Sequence, residues 1–189
     1  MKTIALVAEK GAGKGLFVES IKKLFPRLRI VSIRFSDPLC DILDMLGKEK
    51  SRQNIDAMIT ALREAFHDEG LLNGAMRKRL QGMQADIIIL DGLRKEEEVA
   101  MVREYKGILI FITARQEQRY QRRKDDPEKP DEAIINLEQF IVTDQAAPQI
   151  SIRRIGETMA DAVIENNGTR EEFEEKIKEF CAAHGIGEN

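Results

Sequence analysis

At 189 residues the chain is long enough for one well-buried domain with room for a small insertion. Apolar residues make up 42% and charged residues 33%, which excludes a disordered chain, and no apolar run approaches the roughly 20 residues that cross a bilayer. The net charge of −3, from 30 basic and 33 acidic residues, argues against general nucleic-acid or anionic-membrane binding while leaving room for a local basic cleft.

The first residues enter a strand pattern at once, with no charged-then-apolar leader, so a cytoplasmic location is expected. Thr3–Ala8 (TIALVA) is the first strand, and the glycine-rich stretch after it opens a helix marked by Phe17, Ile21, Leu24 and Phe25. Leu28–Phe35 (LRIVSIRF) is a second strand. Helical stripes follow through Leu39, Ile42, Leu43 and Leu46, and through Ile55, Ile59, Leu62 and Phe66. Asp86–Leu90 (DIIIL) and Ile108–Thr113 (ILIFIT) are further strands, and Lys124–Asp131 (KDDPEKPD), with two prolines and dense charge, reads as a mobile loop. Ala162–Glu165 (AVIE) is the fifth strand, before a last helix through Phe173, Ile177 and Phe180. Continuous β-branched runs are the mark of strands buried on both faces, and strands separated by helices imply parallel pairing with right-handed crossovers. The expectation is a single three-layer α/β domain on a five-stranded parallel sheet. Cys40, Cys181, His67 and His184 are too scattered for a zinc or disulfide framework.

The stretch Val7–Phe17 (VAEKGAGKGLF) comes close to the Walker A phosphate-loop pattern G-x-x-x-x-G-K-[ST], with Ala8 at the first glycine and Gly15 at the hydroxyl. Gly11, Gly13 and Gly15 let the backbone turn tightly and present N–H groups inward. The helix start adds its positive dipole end, and Lys14 adds a point charge. Glu9, Lys10, Gly11, Ala12, Gly13, Lys14, Gly15 and Leu16 are therefore the expected cradle for nucleotide phosphates. The bland alternative is a glycine-rich turn with a solvated lysine. Neither Gly15 nor Leu16 offers Mg²⁺ a hydroxyl, so phosphates, waters and a carboxylate elsewhere would have to hold it. The sub-pattern G-x-G-K-G resembles the loop of adenylate kinase and related nucleoside monophosphate kinases.

Asp91-Gly92-Leu93-Arg94 ends the third strand, where P-loop proteins place the carboxylate that orients Mg²⁺ through water. A turn with Asp91 as helix cap is the other reading. The element also resembles D-G-x-x-R of monophosphate kinases, shortened by one residue, which implies that Arg94 grips the acceptor. Arg115, Arg119, Arg122 and Arg123 share one helical face, and arginines so placed neutralise charge on a transferred phosphoryl group. A solvated face is the alternative. With Glu96–Val99, RYQRRKDDP and ETMADAVIENNGTREEF, these elements resemble an archaeal and bacterial group of kinases similar to dephospho-CoA kinase and adenylate kinase. The resemblance spans roughly residues 2 to 180. It implies a P-loop NTPase fold, ATP and Mg²⁺, an acceptor-holding helical insertion over about residues 38–83 and a lid over about residues 115–145. The family pattern has an Arg-Asp pair where this chain has Thr143-Asp144. Ala160-Asp161 and Asn166 to Thr169 resemble the stretch that shapes the adenine pocket.

Phe35-Ser36-Asp37-Pro38-Leu39 leaves the second strand and resembles the equivalent element of dephospho-CoA kinases and deoxynucleoside monophosphate kinases. For a hydroxyl acceptor Asp37 is the candidate general base; for a phosphate acceptor no base is needed and Asp37 orients substrate or metal. A helix N-cap with Pro38 at the first helical position accounts for Asp37 equally well. Arg52 and Arg63 in the insertion are further candidates for the acceptor, since a guanidinium fork matches phosphate, though either one alone also reads as a surface arginine. The expected function is an ATP-dependent kinase acting on a small nucleotide-like acceptor: a nucleoside or deoxynucleoside monophosphate, or dephospho-CoA. Catalysis would rest on Lys14, Asp37, Asp91, Arg119, Arg122 and Arg123. A nucleotide-binding switch or adaptor without turnover is the second class, favoured by Leu16 and Thr143. A GTPase lacks its N-K-x-D motif here, and a nucleic-acid end kinase would want a basic channel. Base selectivity and oligomeric state are not encoded legibly.

Overall fold

The computed structural model describes residues 1–125 and 136–187. In chain order its elements are β1 (Lys2–Ala8), α1 (Lys14–Leu24), β2 (Ile30–Arg34), α2 (Asp37–Met45), α3 (Arg52–Phe66) and α4 (Leu71–Leu80). Then come β3 (Ile87–Asp91), α5 (Glu96–Glu104), β4 (Ile108–Thr113), α6 (Gln116–Asp125), α7 (Leu137–Asp144), α8 (Ala147–Met159), β5 (Ala162–Glu165) and α9 (Arg170–Ala183).

The five strands are parallel and ordered β2-β3-β1-β4-β5, as the alternation of apolar runs and helices requires. β1 lies at the centre, and its residues are buried on both faces, so it reads as a continuous apolar run rather than an alternating one. Ala5 and Val7 face Ile88, Leu90 and Phe111 beneath α4, α5 and α8. Ile4 and Leu6 face Phe17, Ile21, Phe173 and Ile177 of α1 and α9. Gly156 brings α8 close to the sheet, because a Cβ there would meet the Phe111 ring at 2.3 Å. The sheet extends from β1 through β3 to β2 on one side and through β4 to β5 on the other. The crevice at the carboxyl ends of β1 and its neighbours is where open α/β sheets bind ligands. The register Leu6↔Asp91 and Ala8↔Ile112 sets the end of β3 and the end of β4 on either side of the loop that follows β1.

Several boundaries differ from the sequence pattern: β1 begins at Lys2 rather than Thr3, and β3 is Ile87–Asp91 rather than Asp86–Leu90. β2 is shorter than LRIVSIRF, an edge strand with Ile30, Val31 and Ser32 only half-buried. Leu46 falls past α2 and is 61% exposed, and Phe66 at the end of α3 is 65% exposed, so those stripes stop short of their last residues. Leu39, Leu43 and Ile55 form a small satellite core of their own between α2 and α3. α6 runs to Asp125, and the rest of the expected KDDPEKPD loop lies outside the described residues, as does part of the expected lid.

Candidate active site

Gly13 caps α1 in the left-handed region, φ 106° and ψ 23°, and no side chain caps the helix. The first-turn N–H groups of a helix have no acceptor within it, so here they stay available to an anion at the dipole's positive end. Gly11 is likewise left-handed, at φ 77°. A Cβ on Gly11 would stand 2.5 Å from the Arg119 carbonyl, and one on Gly13 would stand 2.3 Å from Asn166 Nδ2. Gly15 has open space where a side chain would go. The glycines at 11 and 13 are thus required by the turn; the one at 15 is not.

Above the loop lies a cavity of ≈ 590 Å³ lined by residues 8–16. Arginines converge on it from four elements: Arg52 at the start of α3, Arg94 after β3, Arg122 and Arg123 in α6, and Arg170 at the start of α9. Lys14 Nζ reaches Asp91 Oδ1 at 3.1 Å. Asp91 is 4% exposed, and its Oδ1 is buried without a hydrogen-bond donor in good geometry. Asp91 is not among the cavity-lining residues, but a sheltered carboxylate held beside Lys14 at an uncapped helix start suits Mg²⁺, which keeps most of its waters and takes one or two protein carboxylates. Among the described residues no group of three or more acidic, His or Cys side chains offers an alternative cage.

Asn166 and Arg122 tie the walls together. Asn166 Nδ2 donates to the Ala12 carbonyl at 2.9 Å, and Arg122 Nη2 donates to the Asn166 carbonyl at 2.9 Å. Arg122 Nη1 is buried with no hydrogen-bond partner, and burial lowers the basicity of this guanidinium. Arg94 is fixed through its backbone. Its N–H donates to Glu98 Oε2 at 2.6 Å, and its carbonyl accepts from Ser151 Oγ at 2.8 Å. Glu98 is 5% exposed, and burial raises its pKa despite the amides of Arg94 and Lys95 that favour its ionised form.

Beneath the loop lies a buried ionic cluster that the sequence did not reveal. Arg119 donates from Nη1 and Nη2 to both oxygens of Asp144 at 2.7 Å each, and from Nη1 to the Lys10 carbonyl at 3.2 Å. Arg153 Nη1 donates to Asp144 Oδ2 at 3.0 Å and to Glu9 Oε1 at 3.2 Å. Burial alone would raise the Asp144 pKa, but hydrogen bonds from Arg119, Gln116 and Arg153 outweigh it and hold this carboxyl below its usual range. Arg119 therefore points away from the cavity and sits under the loop at 2% exposure. That corrects its expected place beside the transferred group: α6 is amphipathic in its arginines, with 122 and 123 at the cavity and 119 in the interior.

Two other expected residues also stand off the cavity. Asp37 is the first residue of α2, whose cap is Ser36, rather than the cap itself; its Oδ2 accepts the Arg34 N–H at 2.7 Å and lies 3.9 Å from Arg79, so its carboxylate braces the β2–α2 turn. Arg63 Nε lies 3.7 Å from Glu69 Oε2, between α3 and α4. Thr143 is exposed and donates to the Phe140 carbonyl, one residue before the buried Asp144. Gln149, 3% exposed on α8, lines the cavity and was not anticipated, having no motif to mark it.

No protein-family model matches the chain. A UPF0200 protein of Thermococcus kodakarensis is 27% identical over 183 residues, covering 90% of this chain and 91% of that one. A shikimate kinase from Acinetobacter baumannii, solved in complex with shikimate, superposes with a TM-score of 0.55 at 20% identity over 98% of this chain and 96% of that one. A gluconokinase from Sinorhizobium meliloti gives 0.55 at 9% identity over 100% and 98% of the two chains. Identities this low speak for architecture alone. With the strand order and the loop after β1, they show that this chain has the three-layer α/β fold of the P-loop kinases.

Proposed function

We propose that the protein transfers the γ-phosphoryl group of ATP to a small nucleotide-like acceptor. The observation that carries this reading is the convergence, on one cavity, of an uncapped helix start, Lys14 and arginines from several parts of the chain, with the buried Asp91 paired to Lys14. The loop N–H groups and Lys14 hold the β- and γ-phosphates; the Lys14–Asp91 pair opens so that the ammonium can turn to them. Asp91 is the residue that would hold Mg²⁺ through water, and the ion would supply charge neutralisation on the phosphate oxygens. Arg122 and Arg123 face the transferred group, with the unpartnered Arg122 Nη1 gaining a phosphate oxygen as its acceptor. An acceptor oxygen attacks the γ-phosphorus as its bond to the β-phosphate oxygen breaks, and the electron pair leaves on ADP. Most of the rate gain comes from positioning and charge neutralisation.

On the acceptor side Arg52 and Arg94 suit a substrate that carries phosphate. Asp37 does not line the cavity, which favours a nucleoside monophosphate over a hydroxyl acceptor such as dephospho-CoA, because an ionised phosphate needs no base. A product screen with Mg-ATP tests the reading. It offers ribo- and deoxynucleoside monophosphates and dephospho-CoA in parallel, with Lys14→Ala as control. Transfer by wild type alone supports a kinase, and identical behaviour of the two proteins rejects it. Leu16, at the cavity where a hydroxyl is absent, favours the second reading of a nucleotide-binding switch. Saturable ATP binding with no phosphorylated product from any acceptor would support that one.

A further inference from the structure

Four charged side chains meet under the phosphate loop, each from a different part of the chain. Glu9 belongs to the loop, Arg119 to α6, Asp144 to the last residue of α7 and Arg153 to α8. Glu9, Arg119 and Asp144 are 6%, 2% and 2% exposed. Formal charges cancel, two against two. Asp144 is the hub: both its carboxylate oxygens take Arg119, Oδ2 also takes Arg153 and Gln116, and its backbone carbonyl takes Arg153 Nη2 at 2.6 Å. From that hub two guanidinium groups reach up to the loop. Arg119 holds the Lys10 carbonyl at 3.2 Å and lies 3.3 Å from Glu9 Oε1, while Arg153 holds Glu9 Oε1 at 3.2 Å. The other Glu9 oxygen accepts from Thr113 Oγ1 at the end of β4. Arg119 shapes the loop through its backbone too, since its carbonyl is the atom that excludes any side chain at Gly11.

Buried ion pairs add little to net stability against an apolar replacement, yet removing one partner leaves an uncompensated charge. They do fix geometry, and here the geometry fixed is that of Glu9, Lys10 and Gly11, the residues that aim the loop's N–H groups. We infer that Asp144, acting through Arg119 and Arg153, is a positioning residue that holds the phosphate loop in its anion-binding conformation. It touches no substrate. The inference rests on the nucleotide-binding reading of the loop, but it makes a claim about the unliganded protein that stands apart from turnover.

The test compares wild type with Asp144→Asn by amide hydrogen exchange without ligand and by calorimetric titration with Mg-ATP. Asn keeps the shape and one acceptor oxygen but loses the charge that binds two guanidinium groups. The expected result is at least tenfold faster exchange across residues 10–14, with the amides of β1 and β3 unchanged, and at least tenfold weaker Mg-ATP binding. Arg153→Gln, at a side chain 28% exposed and therefore easier to replace, should move both readings the same way by a smaller factor. It decides the matter if Asp144→Asn does not fold. A variant that melts earlier yet keeps loop exchange and affinity within twofold overturns the inference, leaving Asp144 a stabilising residue only. So does tighter Mg-ATP binding without a change in loop exchange, which would mean that removing a nearby negative charge is the whole effect. If wild type binds no Mg-ATP, the kinase reading falls, and the exchange measurement alone decides the positioning claim.

Discussion

Gly13 and Lys14 stand next to each other and carry different parts of the account. Gly13 is held at φ 106° with the Asn166 amide 2.3 Å from where a Cβ would be, so Gly13→Ala meets both backbone strain and a clash. It should cost about 1–3 kcal/mol of stability by urea denaturation and weaken nucleotide binding with it. Gly15→Ala, facing open space without positive φ, should cost less than about 1 kcal/mol in the same assay. The glycines, Lys14 and Asp91 were legible in the sequence because they sit within one strand–loop–helix unit or at the end of one strand. Arg153 and Gln149 were not, and Asp144 entered only through the family resemblance, with no sign of its partners. Their partners lie far away in sequence, and no spacing rule says that a lone Asp after a helical stripe will meet an arginine of another helix.

α6 shows how one helical face can serve two purposes. Arg115, Arg119, Arg122 and Arg123 were read as one stripe, but Arg115 precedes the helix, Arg119 is buried in the interior, and Arg122 and Arg123 line the cavity. Stability and turnover should therefore separate along it. Arg119→Ala removes the two-point partner of the buried Asp144, leaving Arg153 and Gln116 to hold its charge, and should cost about 3 kcal/mol in urea denaturation. Arg122→Ala should cost less, about 1–1.5 kcal/mol for its bond to the Asn166 carbonyl, and lower kcat by more than about tenfold. Equal stability losses for the two would contradict the division. Elements with long apolar stripes, β1, β3, β4, α1 and α9, were placed correctly from pattern alone. α8 was missed because its buried stripe is short, Ile152 and Ile155, and its closeness to the sheet depends on Gly156 having no side chain.

At the scale of the whole molecule, two buried carboxyls oppose each other in their response to pH. Asp144 has a lowered folded pKa, so its contribution is complete above the unfolded value of about 3.9 and is lost as pH falls through the folded one. Glu98 has a raised folded pKa, so its contribution is present below the unfolded value of about 4.3 and is lost as pH rises through the folded one. Asp144→Asn should flatten the acid limb of a stability–pH curve, and Glu98→Gln should remove a decline on the other side of the carboxylate range. Ligand linkage gives a second global reading. At a hundredfold excess over Kd, Mg-ATP should add about 2.7 kcal/mol, which for a chain of this size raises Tm by about 5–10 °C.

The architecture follows from apolar runs that the sequence displays openly, whereas the phosphate-binding claim rests on the loop and Lys14 acting together. Calorimetric titration of wild type and Lys14→Ala with Mg-ATP addresses that claim most directly. The account predicts saturable one-site binding by wild type and at least about 100-fold weaker binding by the variant, the loss of one charge contact to phosphate. Equal affinities, or no heat with wild type, would contradict it.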